Sequence, residues 1–460
     1  ADYGLRYPLI SGSMAHGISS QEIALSLGRQ GMLSFIGTAG QSQQAVEALI
    51  GQMKQSAVGM PFGFNLIHSP NETGLEDALV SMYLRHEIRL IEASAFLSVT
   101  LPLIRFRVHG IHRDASGNIV VPNRIIGKIS RVEVATKFFS PPPEKMLQEL
   151  VQRGDITAEQ AALAARVPLA QDLTAEADSG GHTDNRPAIT LFPTILALRD
   201  RQQAQYGAAF PLRVGAAGGI ATPAAVAAAF AMGAAYVVLG SVSQACVESG
   251  VSAAARDMLA QAGQADTAMA PAGDMFEMGV TVQVLKRGTM FAMRARKLYE
   301  LYRAYARMED LPLNERADLE KNLFKDTLEN IWAQTREFFT KRDPAQVSRA
   351  ERDQKHLMAL VFRWYLGKSA RWAVSGDPDR KIDFQIWCGP AMGAFNEWAK
   401  GSHLEKPEER TIDAVALNLL YSGAVALRLS QLRVQGIQIP SDWAAIRPST
   451  LEAIRQNTYV

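Results

Sequence analysis

The sequence is poor in cysteine and carries almost no excess charge. Its 460 residues include two cysteines, Cys246 and Cys388. They lie too far apart to form a metal-ligand pair, and we expect buried free thiols in a reducing compartment. The formal net charge is only +2 at pH 7, so no global charge favours nucleic acid as a partner. A secretory signal pattern is also missing, and we expect a cytoplasmic protein.

Charge is absent from one long stretch, Val214 to Val247. By length alone this stretch could span a bilayer. Five glycines and Pro223 interrupt it, however, and its pattern is typical of a strand, a glycine turn, an alanine-rich helix and a second strand. A buried parallel sheet requires apolar runs of this kind. The sequence therefore predicts a buried sheet at this point and no membrane span.

The first predicted strand is not followed by Gly-x-Gly-x-x-Gly, which disfavours an open doubly wound sheet. Instead, eight strand-like runs alternate with helical patterns. An apolar content of 47% and a charged content of 20% are ordinary for a soluble globular protein. Eight alternating units favour parallel pairing in a (β/α)8 TIM barrel of the α/β class. The predicted strands are Pro8–Met14, Met32–Thr38, Phe62–Ile67, Leu90–Ala95, Arg124–Ser130, Leu173–Ala177, Leu212–Ala216 and Tyr236–Ser241.

The chain is long enough for a barrel and a second domain. We expect the barrel within residues 1–285. From there the β-branched runs fade, and long charged or aromatic helical patterns take over. Residues 286–460 are therefore predicted to form a mostly helical C-terminal domain.

Two insertions interrupt the predicted barrel. The first, near 103–122, has the pattern of a β-hairpin that turns at 114–118. The second, near 141–168, has the pattern of a helical pair. Gly154 is predicted to end its first helix, and a Thr157–Gln160 capping box is predicted to begin its second.

Two glycine-rich loops follow the last two predicted strands. In barrels, loops at these positions often hold phosphate, and glycine amides with a helix N-terminus bind anions without a lysine. Glycines after strands can equally be plain turns, but two matched loops at the two expected strands favour a phosphate site. The helix after the first loop has Thr222 as its predicted N-cap and Pro223 in its first turn. The predicted phosphate-site residues are Ala217, Gly218, Gly219, Gly240 and Ser241.

Small residues and an amide end two of the other strands. The run Gly12-Ser13-Met14-Ala15 follows the first strand and would let a flat ring system lie on the barrel mouth. Asn65 ends the third strand, where its amide can pair with the edge of a heterocycle. These residues predict a planar ligand beside the phosphate site.

Two charged residues stand inside predicted strands. Lys128 interrupts the apolar run of the fifth strand, either snorkelling outward or stabilising negative charge on a ligand, such as that near N1 of a reduced flavin. Glu92 in the fourth strand is a similar candidate. Either residue could instead be half of an internal salt bridge, and the sequence leaves both interpretations open.

The sixth predicted strand ends close to Gly180, Gly181 and His182. Two glycines let backbone approach a flat ligand where any Cβ would collide. A histidine at that point can exchange a proton near neutral pH, although a tight turn with a hydrogen-bonded histidine has the same pattern. Together with the phosphate loops, this segment predicts a flat phosphorylated cofactor, for which FMN fits better than a dinucleotide.

Several of these segments resemble the nitronate monooxygenase and FMN-dependent enoyl reductase superfamily. The resemblance is strongest to its PfaD-type branch, the trans-acting enoyl reductases of polyketide and polyunsaturated fatty acid synthases, and it extends over nearly the whole chain. The segments that carry it are Gly12–Ala15, Asn65, Glu176–Pro187 with its Ser-Gly-Gly-His core, Ala216–Ile220, Gly240-Ser241, Val284–Thr289, Phe362–Gly367 and Gln385–Asn396.

The resemblance implies a specific reaction. NADPH and FMN would reduce the 2-enoyl thioester held on an acyl carrier protein, within polyketide or fatty acid synthase modules. His182 would donate or relay the proton that reaches the α-carbon. A carrier protein is acidic, and the basic, tyrosine-rich segment 290–308 could receive it, although such a pattern is more often a solvated face over core tyrosines. The sequence leaves open whether the protein forms a homodimer.

Other functions share parts of this pattern. A nitronate monooxygenase-like oxidase would use FMN and oxygen without NADPH, but the Asp184–Pro187 extension and the helical C-terminal half favour the reductase. A non-catalytic interaction protein could keep the barrel as a scaffold, and it would not bind FMN. An inosine monophosphate dehydrogenase type of barrel needs a cysteine in a catalytic loop, which Cys246, beyond the eighth strand, does not provide.

Overall fold

The computed structural model of the protein describes residues 2–69 and 73–457. Eight parallel strands close into a barrel, in which each strand pairs with the next along the chain and the eighth pairs with the first through Val237 and Leu9. The predicted (β/α)8 barrel is confirmed, and the charge-free stretch forms strand, helix and strand as expected. The barrel strands are Leu9–Ser11, Leu33–Ile36, Gly63–Ile67, Leu90–Ser94, Arg124–Ile129, Asp172–Glu176, Arg213–Ala217 and Val237–Leu239.

Seven helices from the connections between the strands surround the barrel. Four of them begin where a hydroxyl side chain accepts the backbone N–H three residues on, at Ser20, Ser42, Thr100 and Thr222. This capping satisfies an N–H group that the first helical turn leaves open. The seven helices are Gln21–Arg29, Gln43–Ser56, Thr73–Arg85, Leu101–Val108, Val132–Phe139, Ala188–Tyr206 and Pro223–Ala231.

The eighth place in this helical layer is filled from the far end of the chain. The eighth strand is followed directly by the short helix Ser241–Gln244, whereas Ile412–Val434 packs against Pro223–Ala231 and Gln21–Arg29 on either side of the gap. By length and composition it is the one helix of the described chain that could cross a membrane, with a mean hydropathy of 1.4. Within the fold, 56% of its apolar window is buried, because it covers the barrel.

Replacing Gly423 with alanine should destabilise the protein because this helix approaches its neighbour at that glycine. A Cβ there would lie 2.6 Å from Val226 Cγ1, and such overpacking costs about 1–3 kcal/mol. The matched control is Gly51→Ala, also inside a helix, where a Cβ would meet nothing within 4 Å and should stabilise by up to about 1 kcal/mol. Thermal unfolding of both variants checks this packing. Equal melting temperatures would contradict it.

The two predicted insertions are present with one correction. Residues 112–113 and 119–120 form the expected hairpin, but Leu103 to Val108 continue the barrel helix that starts at Leu101. The hairpin prediction was therefore wrong for that part, because Thr100 and Pro102 start a helix just before it.

The second insertion matches its prediction closely. It contains the helices Glu144–Gln152 and Ala158–Ala164. Gly154, with φ +75°, closes the first helix in a Schellman arrangement, since its N–H donates to Val151 and the Asp155 N–H donates to Leu150. The second helix begins with the expected capping box.

The rest of the chain is mostly helical. A small antiparallel sheet joins it to the barrel, with Thr281–Leu285 paired to Thr267–Pro271 on one side and to Gly181–His182 on the other. Its α-helices are Ser241–Gln244, Ala253–Ala260, Phe291–Ala304, Leu313–Asp318, Leu328–Arg342, Pro344–Ala350, Gln354–Ser375, Ala391–Ala399, Ile412–Val434, Ser441–Ala444 and Leu451–Asn457. Short helical turns are Phe276–Met278, Met308–Asp310, Leu319–Phe324, Pro378–Asp383, His403–Glu405 and Pro407–Glu409.

Two large hydrophobic clusters organise the interior. One joins the barrel strands to their helical layer and also takes in residues between 384 and 419. A separate small cluster on the barrel strands includes Ile10, Phe35 and Val238. The second large cluster extends from Ala270 to Leu366 and is rich in aromatic rings. Residues on both sides of position 285 share this second cluster, so the proposed division into 1–285 and 286–460 stays a prediction about chain organisation.

Candidate functional site

A cleft lies at the carboxyl ends of the barrel strands. Parallel strands in a barrel bring their carboxyl ends to one rim, which explains why distant segments meet there. The predicted site residues that line it are Gly12, Ser13, Met14, Lys128, Gly180, Ala217, Gly218, Gly219, Gly240 and Ser241. Sequence reasoning did not assign Glu176, Ser179, Ile220, Val238, Leu239, Val242, Gln244, Trp387, Gly389 and Ala391 to it.

The loops after strands seven and eight form an open cradle. Gly218, with φ +81°, must be glycine because a Cβ would lie 2.6 Å from the Ala177 carbonyl carbon. At Gly219 and Gly240 a Cβ would meet nothing within 4 Å, so there is room above both. A helix N-terminus, capped by Thr222 as predicted, follows the first loop.

This cradle fits the phosphate of a nucleotide-like cofactor. The free space over its two open glycines admits an anion close to the backbone, and the helix N-terminus favours negative charge. Gln244, which lines the cleft, has its Nε2 buried without a hydrogen-bond partner. An unsatisfied buried donor is costly, and an oxygen-rich ligand would satisfy it.

A segment from the C-terminal part of the chain closes one side of the cleft. The Gly389 N–H donates to Ser241 Oγ at 3.0 Å, which leaves the hydroxyl hydrogen of Ser241 to donate elsewhere. The side chain of Trp387 adds an aromatic wall and stacks on His16 at 5.7 Å. Burial lowers the pKa of His16 to about 4, so this wall is uncharged at neutral pH.

Gly180 is required by that same segment. A Cβ on Gly180 would lie 2.9 Å from the backbone nitrogen of Cys388, and one on Gly389 would lie 2.8 Å from the nitrogen of Gly180. The two glycines therefore let two backbones touch. The sequence predicted that Gly180 allows the close approach of a ligand. The structure shows a close approach at Gly180, but the neighbour is the backbone of Cys388. Gly181, with φ +82°, adopts a conformation that favours glycine.

The charged residues of the strands form an internal network. Lys128 pairs with Glu176 at 3.3 Å between Nζ and Oε1. Burial lowers the pKa of Lys128, but the charges of Glu176 and Glu92 outweigh it and raise the pKa above its usual value. The sequence left open whether Lys128 forms an internal salt bridge or faces a ligand. The structure shows the salt bridge, and both of its residues line the cleft. The lysine therefore stays positively charged beside any ligand.

Glu92 lies just beneath the cleft and is fully buried. Its Oε2 accepts the Ser13 N–H at 2.8 Å and also the Ser13 hydroxyl, while Oε1 has no partner. Burial raises the pKa of Glu92, and the positive charge of Lys128 opposes that rise. Glu92 thus holds the Ser13 backbone in place, and its free oxygen lies 3.6 Å from the position of a Gly12 Cβ.

Ala15 and Asn65 do not line the cleft in this structure. The Ala15 carbonyl accepts the Ile18 N–H at 3.1 Å in the turn that follows the first strand. The Asn65 Nδ2 donates to the Glu92 carbonyl at 3.1 Å and to Ser94 Oγ at 2.8 Å. Asn65 therefore uses its amide donors to tie neighbouring strands, and its pairing with a heterocycle stays a prediction.

His182 lies next to the cleft and has an acidic partner. Its Nε2 is 3.2 Å from Asp274 Oδ1, and its side chain is 36% exposed. Burial lowers the pKa of His182, but the hydrogen bond and charge of Asp274 outweigh it, so the pKa is raised above 6.5. Glu176 and Lys128 of the cleft also act on this pKa.

Sequence reasoning missed Asp274 altogether. It lies between two strands of the small sheet, 92 residues from its partner, and the pairing of Val282 with His182 brings the loop to the histidine. A lone aspartate in a loop carries no sequence signal. The available hint was the Val284–Thr289 motif, which continues the strand that follows this loop.

Neither cysteine is arranged for chemistry. Both are buried, and burial raises the pKa of Cys388 to about 12 and that of Cys246 well above its ordinary value. Thiols in this state are poor nucleophiles, so Cys246 does not serve as a catalytic cysteine. Within residues 2–69 and 73–457, no group of three or more metal-ligating side chains was found.

The fold and the cleft define a class of barrel protein with an anion cradle at its last two loops and a histidine–carboxylate pair at the rim. A family model described as nitronate monooxygenase matches residues 3–295, well over half of the chain. The protein belongs to this family. A second family model, the inserted helical domain of acyl-carrier-protein S-malonyltransferase, matches residues 305–384.

Two solved structures are similar to this chain over most of its length. The enoyl reductase domain of MlnA, from the macrolactin biosynthesis cluster of Bacillus amyloliquefaciens, is 39% identical, with a TM-score of 0.90 over 95% of this chain and 97% of that one. FabK from Thermotoga maritima is 18% identical, with a TM-score of 0.53 over 94% of this chain and 96% of that chain, and this likeness shows the shared fold.

Two curated relatives come from biosynthetic systems. One is a polyunsaturated fatty acid synthase polypeptide of Thraustochytrium sp., which is 44% identical over 94% of this chain and 29% of its own length. Polyketide biosynthesis protein PksE of Bacillus subtilis is 44% identical over 96% of this chain and 57% of its own length. The chain therefore spans less than two thirds of the curated relatives it matches.

Proposed function

We propose that this protein is a trans-acting enoyl reductase, which uses FMN and NADPH to reduce a 2-enoyl thioester on an acyl carrier protein. The observation that carries this proposal is the arrangement of the cleft. The cleft combines an anion cradle with the positively charged Lys128, and a histidine–aspartate pair lies next to it. This combination fits a phosphorylated redox cofactor and a substrate that needs a proton.

The residues that would hold FMN divide into three groups. Gly218, Gly219, Gly240 and Ser241 would bind its phosphate. Gly12, Ser13, Met14 and Gly180, which line the cleft, would lie beside the ring system, and Ala217 lines the cleft next to the phosphate cradle. Glu92 would hold the Ser13 backbone in place beneath the ring. A direct contact of Ala15, Asn65 or Gly181 with the ring stays a prediction. The permanent charge of Lys128 would stabilise negative charge on the reduced ring. When bound, FMN supplies the hydride chemistry, and the protein supplies binding, orientation and electrostatics.

His182 would supply the proton. Because Nε2 faces a carboxylate, this nitrogen carries a hydrogen, and Asp274 fixes the orientation of the ring. The other nitrogen, Nδ1, would then carry the exchangeable proton and deliver it to the α-carbon of the thioester. The raised pKa of His182 keeps part of the imidazole protonated near neutral pH, as a general acid requires.

Relatives support the choice of substrate class. The solved domain that matches at 39% identity is called an enoyl reductase domain, and the curated relatives are named for polyketide and polyunsaturated fatty acid synthesis. We therefore place this protein with synthase modules of one of these kinds, in the cytoplasm. A homodimer remains part of the proposal without a described interface.

The sequence suggested that the carrier protein docks on residues 290–308. The contacts of these residues within the protein favour that docking less. Arg294 pairs with the buried Asp383, and Lys297 pairs with Glu315 and Asp318 at 2.8 and 2.7 Å. The three tyrosines of the segment, Tyr299, Tyr302 and Tyr305, all pack against the aromatic cluster. Internal pairs thus neutralise much of the charge that would attract an acidic partner, and the remaining exposed cations form a smaller surface.

Anaerobic reduction of the flavin tests the proposal directly. We expect protein loaded with FMN to bleach on addition of NADPH and to recover its colour on addition of a crotonyl-loaded carrier protein. The alternative is a nitronate monooxygenase-like FMN oxidase, which the name of the family model favours. That enzyme would not bleach with NADPH but would turn over a nitronate in air. A protein that cannot be loaded with FMN would overturn both.

A further inference from the structure

The loop that carries Asp274 packs against a helix of residues 305–384, which match the inserted helical domain. This loop, residues 272–280, joins two strands of the small sheet, and helix Gln354–Ser375 packs against it. The approach is close, since a Cβ on Gly273 would lie 3.2 Å from Leu366 Cβ. Phe276 also inserts into the aromatic cluster of that region. The loop therefore has an apolar anchor as well as the polar contacts described next.

Arg363 contacts the residue that precedes Asp274. Its Nε donates to the Gly273 carbonyl at 2.8 Å, and Nη1 lies 3.7 Å from Glu277 Oε2. The arginine side chain is only 13% exposed, so these interactions are weakly screened by solvent. Arg363 thus holds the residue before Asp274 on one side and a carboxylate three residues after it on the other.

A second contact from the same helix supports the same loop. The His356 Nδ1 is 2.7 Å from Glu277 Oε1, and Nε2 is 2.9 Å from Gln346 Oε1. His356 is 1% exposed. Seven residues separate it from Arg363, which is two helical turns, so both side chains lie on one face of the helix. This face meets the loop at two places.

We infer that Arg363 is a positioning residue for His182. It fixes the Gly273 carbonyl and thereby the Asp274 carboxylate that orients the histidine. The helical insertion, through this arginine, therefore sets the acid–base properties of a site on the barrel rim. The effect on turnover rests on the proposed function, but the effect on the histidine itself does not.

The electrostatics of the site predict the direction in which the pKa of His182 changes when Arg363 is removed. The charged groups that act on the pair are Glu176 and Lys128 on His182, and Arg363 on Asp274. If Arg363 acted only as a nearby charge, its removal would raise the pKa of His182, because a positive charge disfavours imidazolium. If it positions Asp274, its removal loosens the hydrogen bond that raises this pKa, and the pKa of His182 falls.

The test is an NMR titration of FMN-loaded protein labelled at histidine Cε1, with the His182 signal assigned from a His182→Gln variant. Arg363→Gln should lower the pKa of His182 and reduce kcat with crotonyl carrier protein by about 10- to 100-fold, as small misplacements at reacting groups do. The KM for NADPH should stay unchanged. Arg363→Lys keeps one donor and the charge, and should recover part of both losses.

Arg349→Gln is the matched control. Arg349 also contacts Glu277, at 3.6 Å, but its side chain is 56% exposed, and we expect wild-type values for this variant. An unchanged or raised pKa of His182 in Arg363→Gln would overturn the positioning role. Since the titration needs no turnover, a fall in pKa in a protein without reductase activity would uphold this role and reject the proposed function. The anchoring of Phe276 should keep the variants folded.

Discussion

Replacing His182 with alanine should lower the turnover of crotonyl carrier protein by about 100- to 10,000-fold, the range of general acid catalysis. The imidazole lies next to the cleft and has a raised pKa, so its loss removes the proposed donor to the α-carbon. FMN content and the rate of anaerobic bleaching by NADPH should stay near wild type. Steady-state and single-turnover assays separate these quantities.

The variant Asp274→Asn should change the pH dependence of kcat. Burial lowers the pKa of His182, but the hydrogen bond and charge of Asp274 outweigh burial, so the pKa in the folded protein is raised. Activity that needs protonated His182 is therefore complete at low pH and is lost as pH rises through the folded pKa. Removing the carboxylate lowers that pKa, so the alkaline limb of the kcat profile should move to lower pH. Unchanged turnover in His182→Ala, or an unmoved limb in Asp274→Asn, would remove the histidine from proton transfer while leaving the flavin site intact.

Gly219→Asp should weaken FMN binding by at least about 100-fold, on the order of 3 kcal/mol. The space above this glycine is open, and a carboxylate there would repel a phosphate and fill its place. Aspartate tolerates a positive φ better than most residues, so the fold should survive. The measurement is the dissociation constant of FMN from flavin fluorescence, with thermal unfolding of the apoprotein recorded alongside.

Gly154→Asp is the matched control for that variant. Gly154 has φ +75°, close to the +78° of Gly219, and a Cβ there would also meet nothing within 4 Å. The backbone cost is therefore similar, but Gly154 lies between the helices of the second insertion, far along the chain from the cleft. If Gly219→Asp kept wild-type affinity for FMN, the phosphate would have to bind elsewhere.

Much of the fold followed from the sequence because barrel strands carry local signals. Apolar runs bounded by glycine and capping residues, such as Val214–Gly215 before Thr222, mark strand ends and helix starts without knowledge of the partners. The two phosphate loops could be predicted for the same reason. The hairpin prediction failed at Leu103–Val108, where apolar residues alternate with Arg105 and Arg107. Such alternation is typical of a strand, but the Thr100 cap and Pro102 in the first turn start a helix here.

The site was harder to predict where its parts come from distant segments. His182 was recognised, but Asp274 was not, because the antiparallel pairing of Val282 with His182 creates their contact. Gly180 was recognised as a place of close approach, but the backbone it meets, at Cys388, lies about 200 residues further along the chain. Contacts of this kind are properties of packing and leave little trace in either segment alone.

The sequence by itself determined the barrel, its strand order, the open glycine loops and the family resemblance, because each depends on local propensity, periodicity or a contiguous motif. Only the tertiary structure decided what completes them. It supplied the eighth barrel helix from Ile412–Val434 and closed the cleft with Trp387 and Gly389. It also gave His182 a carboxylate partner in a loop that Arg363 contacts. The physical reason is that these are long-range contacts, whose geometry exists only once the barrel and the helical region pack together.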